Sequence, residues 1–188
     1  DGDTASTLYQ AVLSADATGA ERLEIRAFFE ATGRWSELVT ALQTEAQILS
    51  GQAAAVSLCE AGELLERKLD QPEEAVQVWR AALEHDVNAR PASDGICRVL
   101  RARGDHAGLI QMWKARVERT TDPNRRVSLL YRIGETAEGP LNDQAEARTA
   151  YEKILDSSPS YLPALVGLER VYRRLEAFDA LAALYEQR

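Results

Sequence analysis

The stretch GELLERKLDQPEEAVQVW, residues 62–79, returns further along the chain as GETAEGPLNDQAEARTAY, residues 134–151. Each position number in the second stretch is 72 higher than in the first, and both stretches begin with Gly-Glu and end on an aromatic residue. In each, apolar residues recur every three or four positions, which is typical of an amphipathic helix. A short polar break separates the two helical patterns. The repeated stretch therefore predicts a pair of helices joined by a tight turn.

The repetition extends well beyond these two stretches. When residues 54–116 are aligned without a gap over residues 126–188, at least 15 of the 63 positions are identical. Glycines, acidic residues and arginines recur at matching places, among them Gly62 and Gly134, Glu63 and Glu135, Glu66 and Glu138, Gly95 and Gly167, Arg98 and Arg170, and Arg101 and Arg173. The unbroken register indicates an internal repeat.

Helical periodicity covers the whole chain, and no stretch shows the alternation that is typical of strands. The predicted helix pairs span residues 20–49, 53–85, 91–120, 124–157 and 162–187, and residues 1–17 add an extra N-terminal helix. Helices of about 12–15 residues are marginal alone, so each pair must bury its apolar stripe against its neighbours. We therefore predict an all-α fold, an α-solenoid of about five antiparallel helix pairs forming one domain over residues 1–188.

Large apolar side chains mark the second helix of each predicted pair, at Leu42, Trp79, Trp113, Tyr151 and Tyr185. A longer interval along the chain alternates with a shorter one from each of these anchors to the next. Around Tyr151, a small residue (Gly134), an alanine (Ala147) and a later proline (Pro159) complete a pattern that resembles the tetratricopeptide repeat family, whose helix–turn–helix repeat has about 34 residues. The resemblance covers nearly all of residues 20–188. It implies that the α-solenoid is a right-handed superhelix, and that its first helices line a concave groove that binds a protein or peptide.

Four glycines lie inside predicted helices and recur at the repeat period: Gly62, Gly95, Gly134 and Gly167. Each costs about 1 kcal/mol relative to alanine in a helix interior. Their recurrence indicates that neighbouring helices approach too closely there for a β-carbon. We expect Trp79 to fill the space between such helices as a core residue rather than to stack on a ligand.

The resemblance also implies a set of groove residues on the first helices: Glu63, Glu66, Arg98, Arg101, Tyr131, Glu135, Glu138, Val166, Arg170 and Arg173. The charged members come in pairs spaced i, i+3, so both side chains share one face of their helix. From helix to helix the pairs alternate between acidic and basic. Either they form a ladder of ion pairs that aligns the repeats, or they select a complementary peptide. The ladder is favoured because alternation largely neutralises the field of the groove. Tyr131 and Val166 favour an apolar or mixed contact.

Composition argues against several other functions. The net charge of −8 argues against a nucleic-acid partner, and no apolar run approaches the ~18 residues needed for membrane insertion. Cys59 and Cys97 are expected to be buried thiols. His85 and His106 lack partners at metal-ligand spacings, and no phosphate-binding glycine loop is present. We therefore expect no cofactor, no metal and no enzymatic activity.

The predicted function is that of a non-catalytic scaffold or adaptor, which binds a partner protein through the groove or flank, as in similar bacterial repeat arrays. Self-association through exposed repeat ends and a regulatory role in a larger multidomain protein are the alternatives. The chain opens without an initiator methionine, so we expect a fragment of a longer protein, and we predict a cytoplasmic location. Leu181, Leu184 and Tyr185 are expected to be exposed if nothing follows them.

Overall fold

The computed structural model describes residues 19–186. In this part of the chain the backbone forms ten α-helices and no strand, so the predicted all-α class is confirmed. The helices are α1 (Gly19–Ala31), α2 (Trp35–Ile48), α3 (Gly51–Arg67), α4 (Pro72–His85), α5 (Arg90–Ala102), α6 (His106–Arg119), α7 (Pro123–Glu138), α8 (Gln144–Ser157), α9 (Leu162–Arg174) and α10 (Phe178–Glu186). The extra helix predicted for residues 1–17 lies outside the described residues.

Odd-numbered helices are the first members of the pairs, and each is joined to its second member by a turn with one residue at positive φ. These residues are Gly33, Asp70, Gly104, Asn142 and Glu176, with φ between 50° and 68°. The left-handed conformation ends the first helix and turns the chain back. The second helix is then capped in two of the pairs: Asp105 accepts a hydrogen bond from the Gly108 backbone N–H at 2.8 Å, and Asp143 accepts one from Glu146 at 3.0 Å.

The chain divides into two compact units, with the boundary between Val99 and Leu100 inside α5. The first unit contains α1–α4 and most of α5, and the second contains α6–α10. That the chain forms a single domain stays a prediction.

Trp79 of α4 is the central core residue of the first unit, and its side chain is fully buried. Its indole ring lies against Gly62 of α3 and Gly95 of α5. A β-carbon added to Gly62 would stand 2.3 Å from Trp79 Nε1, and one added to Gly95 would stand 2.6 Å from Trp79 Cζ2. The indole N–H donates to the carbonyl oxygen of Cys59 at 3.2 Å, which satisfies its polar atom. The predicted close approach is confirmed.

Tyr151 of α8 occupies the equivalent place in the second unit, at the position that the repeat aligns with Trp79, and is also fully buried. Its ring lies against Gly134 of α7 and Gly167 of α9, where added β-carbons would stand 2.5 and 2.6 Å from ring atoms. Its hydroxyl donates to Glu138 Oε2 at 3.1 Å. The same contact, one aromatic ring between two helical glycines, therefore recurs in both units.

The end of α10 corrects one expectation from the sequence. Leu184 is buried, with 5% of its surface exposed, and lines a small groove together with Leu168 and Tyr172. The expected exposure of Leu184 is wrong because α10 packs against α9 and turns this side chain inward. Leu181 is half-buried, whereas Tyr185 is exposed, as expected.

Replacing Gly134 tests the close approach. We expect Gly134→Ala to lower the free energy of unfolding by about 1–3 kcal/mol, because the added methyl group overlaps the Tyr151 ring. The measurement is urea unfolding of the wild type, Gly134→Ala, Tyr151→Leu and the double variant. Tyr151→Leu removes the ring edge, so the second substitution should cost less in that background. Additive losses would contradict the proposed overlap.

Candidate functional site

In the first unit, a bidentate ion pair joins two first helices. Arg98 of α5 donates from Nε to Glu66 Oε1 at 2.8 Å and from Nη2 to Glu66 Oε2 at 2.5 Å. This fork geometry is the strong form of an arginine–carboxylate contact. The Arg98 guanidinium also lies over the Trp79 ring, 5.7 Å from its centroid. The hydrogen bonds to Glu66, with the nearby charge of Glu63, raise the pKa of Arg98.

In the second unit, Arg170 of α9 makes the equivalent fork to Glu138 of α7. Both hydrogen bonds, Nε to Oε1 and Nη2 to Oε2, measure 2.8 Å. Glu138 is only 6% exposed, and it also accepts a hydrogen bond from the Tyr151 hydroxyl. Its Oε1 atom lies 3.5 Å from Nη1 of Arg174. The hydrogen bonds from Arg170 lower the pKa of the Glu138 carboxyl, although burial opposes this shift. Glu138 is therefore a buried carboxylate held ionised by its partners.

Within the described part of each unit, the other four charged groove candidates make no such pair between first helices. Arg173 pairs along α9 with Glu169 at 2.8 Å and donates to the Tyr185 hydroxyl at 3.2 Å. Glu135 is exposed on α7 and hydrogen-bonds to Tyr131. Arg101 is exposed and Glu63 half-buried. Each i, i+3 pair therefore has one member turned toward the neighbouring helix and one turned elsewhere.

An aromatic and aliphatic patch lies on the first helices of the second unit. The Tyr131 ring lies 6.1 Å from the rings of Tyr151 and Tyr161, measured between centroids. Burial and the hydrogen bond to Glu135 raise the pKa of Tyr131. On α9, Leu162 is 62% exposed and Val166 is 41% exposed, and both precede Arg170 on the same helix. We call Tyr131, Glu135, Leu162, Val166 and Arg170 the α7–α9 face.

Sequence reasoning missed a charged cluster in the first unit. Arg26 of α1 pairs with Glu60 and lies 3.7 Å from Glu45 Oε2, and Arg22 lies 3.7 Å from Glu45 Oε1. Glu45 is buried on α2. The signal was present in the sequence, because Arg26, Arg98 and Arg170 are evenly spaced at the repeat interval.

The side chains most suited to covalent or metal chemistry lie apart from these surfaces. Cys59 and Cys97 are buried free thiols, and burial raises the pKa of Cys59. His85 ends α4 and His106 begins α6. Among residues 19–186, no group of three or more His, Cys, Asp and Glu side chains could hold a metal ion. In the same range no helix combines the length and apolarity that crossing a bilayer requires.

Solved structures resemble the chain in fold, among them the three described below. No family model matches the sequence, and a search of curated proteins finds no match. The C-terminal part of a TPR repeat-containing protein from Cytophaga hutchinsonii is 16% identical with a TM-score of 0.53, over 99% of this chain and 72% of that one. MamA protein is 13% identical with a TM-score of 0.48, over 97% of this chain and 89% of that one. The pilF protein of Pseudomonas aeruginosa is 14% identical with a TM-score of 0.45, over 99% and 74%.

The likeness to the Cytophaga structure establishes the fold class. The chain has a tetratricopeptide-like repeat fold, an all-α repeat solenoid built from helix pairs. The resemblance found in the sequence is thereby confirmed at the level of fold.

The two bidentate pairs should differ in their contribution to stability. We expect Arg170→Gln to lower the free energy of unfolding by about 1–3 kcal/mol, because it leaves the buried Glu138 carboxylate with weaker partners. Arg98→Gln should cost less than about 1 kcal/mol, since Glu66 is more exposed to water. Urea unfolding of both variants measures the difference, and equal losses would contradict it.

The lowered pKa of Glu138 predicts an acid-dependent stability. The unfolded carboxyl takes up its proton near pH 4.5, whereas the folded one does so at lower pH. The stabilisation is complete above about pH 4.5 and is lost as pH falls from there through the folded pKa. We expect Glu138→Gln to flatten the dependence of unfolding free energy on pH in this window. An unchanged slope in the variant would count against the assignment.

Proposed function

We propose that this chain is a non-catalytic scaffold that binds a partner protein or peptide through the α7–α9 face. The observation that carries the proposal is the exposure of Leu162 and Val166, one turn apart on α9. This helix begins directly after Tyr161, whose ring contacts the half-buried ring of Tyr131. Contiguous aliphatic and aromatic surface with polar residues at its border is typical of protein-binding sites. A peptide with an apolar anchor residue and a polar flank fits this surface.

Arg170 forms the polar border of the face. Two of the five N–H donors of a guanidinium are taken by Glu138, and the side chain remains half exposed. The remaining donors can bind a carbonyl or carboxylate oxygen of the partner. Glu138 thus fixes the direction in which Arg170 presents them, so one residue serves both the ladder and recognition. The other charged candidates, including Glu63, Glu66, Arg98, Arg101 and Arg173, stay predicted groove residues.

The fold supports a binding function over a catalytic one. Packed helix pairs present a preformed surface, which lowers the cost of ordering when a partner docks. Known proteins with tetratricopeptide-like folds are typically non-catalytic interaction scaffolds. The cytoplasmic location and the regulatory role in a longer protein stay predictions.

Partner capture tests the proposal. The chain is immobilised, incubated with lysate of its source organism, and the retained proteins are identified by mass spectrometry. We expect Tyr131→Ala/Val166→Asp to weaken retention of at least one protein by about tenfold or more, the size of loss that follows removal of a central interface residue. The matched control is Val87→Asp, which places the same charge on a side chain that is 43% exposed.

Two further measurements are needed to interpret the result of the capture experiment. Thermal melting must show that both variants remain folded, because an unfolded variant loses every partner. Light scattering over a concentration series tests self-association, the second candidate, which the exposure of Leu175 and Phe178 favours. Self-assembly would replace the scaffold proposal if two results were obtained together. The measured mass would rise with concentration, and the Tyr131→Ala/Val166→Asp variant would retain every protein that the wild type retains.

A further inference from the structure

A second groove lies on the second helices of the first unit, between α2 and α4 with α3 as its floor. A cavity of about 510 Å³ is lined by Gln43, Ala46, Gln47, Leu58, Gln77, Val78, Ala81 and His85. It adjoins a cavity of about 460 Å³ that shares Gln43, Gln77 and Val78 and continues to Ser36, Leu65 and Glu74. Together these residues form what we call the α2–α4 groove.

The second unit contains a copy of this groove between α6 and α8, with a cavity of only about 280 Å³. The first position of α6 is numbered 71 higher than that of α2, and the first position of α8 is numbered 72 higher than that of α4. At these offsets seven lining positions correspond: Lys114 to Gln43, Val117 to Ala46, Glu118 to Gln47, Leu130 to Leu58, Thr149 to Gln77, Ala150 to Val78, and Lys153 to Ala81. The two grooves are therefore repeats of one structural element.

Their charges differ. Three charged residues of the α6–α8 copy, Lys114, Glu118 and Lys153, correspond to Gln43, Gln47 and Ala81. The smaller groove is also spanned by an ion pair, in which Lys114 Nζ lies 2.6 Å from Glu146 Oε2. At the equivalent positions the α2–α4 groove has neither these three charged residues nor, among the described residues, an ion pair like that of Lys114 and Glu146. Its rim is made mainly of amides and hydroxyls and its floor of aliphatic side chains.

In the α2–α4 groove, Glu74 stands without the lysine partner that its counterpart has in the second unit. It stands on α4 at the position of Glu146, is exposed, and borders the cavity that reaches Ser36. Its counterpart is held by a lysine from the neighbouring helix, but Gln43 occupies that lysine's position in the first unit. Among the described residues no ion pair is found for Glu74. A cation from outside the chain can take the place that Lys114 fills in the second unit.

We propose that the α2–α4 groove binds an amphipathic helix of a partner protein, with a lysine of that helix paired to Glu74. An apolar stripe with residues at i, i+3 or i+4, and i+7 fits a channel between two helices. From Ser36 to Gln47 the groove extends about 16 Å, the length of three helical turns. The uncharged floor rejects a charged face, and the net charge of −8 favours approach of a basic helix.

This proposal does not depend on the α7–α9 face. The two surfaces lie in different units and on different helices, one on second helices and the other on first helices. Loss of binding at one therefore leaves the other to be tested by itself.

Selection from a peptide library tests the groove. A displayed library of amphipathic helices of about 15 residues is panned on the whole 188-residue chain, and enriched peptides are synthesised with a fluorophore for anisotropy titrations. The test variant, Gln43→Lys/Ala81→Lys, copies the lining of the second unit, where these lysines are accommodated. The control variant, Gln111→Lys/Ala107→Lys, adds the same residues at exposed positions of α6.

We expect enriched peptides to carry an aliphatic stripe and a lysine. The test variant should weaken their binding by at least about tenfold, whereas the control variant should bind like the wild type. Replacing the peptide lysine by glutamate should weaken binding to the wild type, and Glu74→Lys should restore it for that peptide.

Several results would overturn the proposal. These are a library that yields no enriched peptide, enriched peptides that bind the test and control variants equally, and a charge reversal at Glu74 that fails to restore binding.

Discussion

The insertion of one aromatic ring between two helical glycines is the contact on which the rest of the structure depends. Trp79 and Tyr151 each lie against a glycine of their own pair and a glycine of the following first helix. Each glycine lowers helix stability by about 1 kcal/mol, but burial of a whole ring against it offsets this cost. The contact sets how closely neighbouring first helices approach. It thereby brings Arg98 within hydrogen-bonding distance of Glu66, and Arg170 within that of Glu138.

The first helices are more alike in the two units than the second helices are. On the first helices, the forked pairs to Glu66 and Glu138 are the same in both units, because they lie directly beside the repeated ring contact. On the second helices, lining residues can vary without disturbing that contact. There the ion pair of Lys114 and Glu146 is replaced in the first unit by a glutamine beside the exposed carboxylate of Glu74. Surface residues differ between units where packing constrains them least.

Packing residues made the fold predictable from the sequence, and rotation of the helices limited what could be predicted of the site. Gly62 and Gly134 recur visibly because only glycine fits against the ring. Which member of an i, i+3 charged pair faces the neighbouring helix depends on helix rotation, so the alternating pattern found Arg98 but could not separate it from Arg101. The α2–α4 groove was not predicted from the sequence, because a cavity is the space that small side chains such as Ala46 and Ala81 leave unfilled. In addition, α2 matches α6 at an offset of 71 residues, whereas α4 matches α8 at an offset of 72.

A ring contact that recurs with the repeat makes array length an adjustable property. Inserting or deleting one whole repeat still places an aromatic ring against a helical glycine, because both ring contacts pair the same kinds of residue, Trp79 with Gly95 and Tyr151 with Gly167. The duplicated block then brings a spare set of outward-facing residues that can acquire a new partner while the older copy keeps its own. Growth by whole blocks and diversification of surfaces are thus separate events in such a chain.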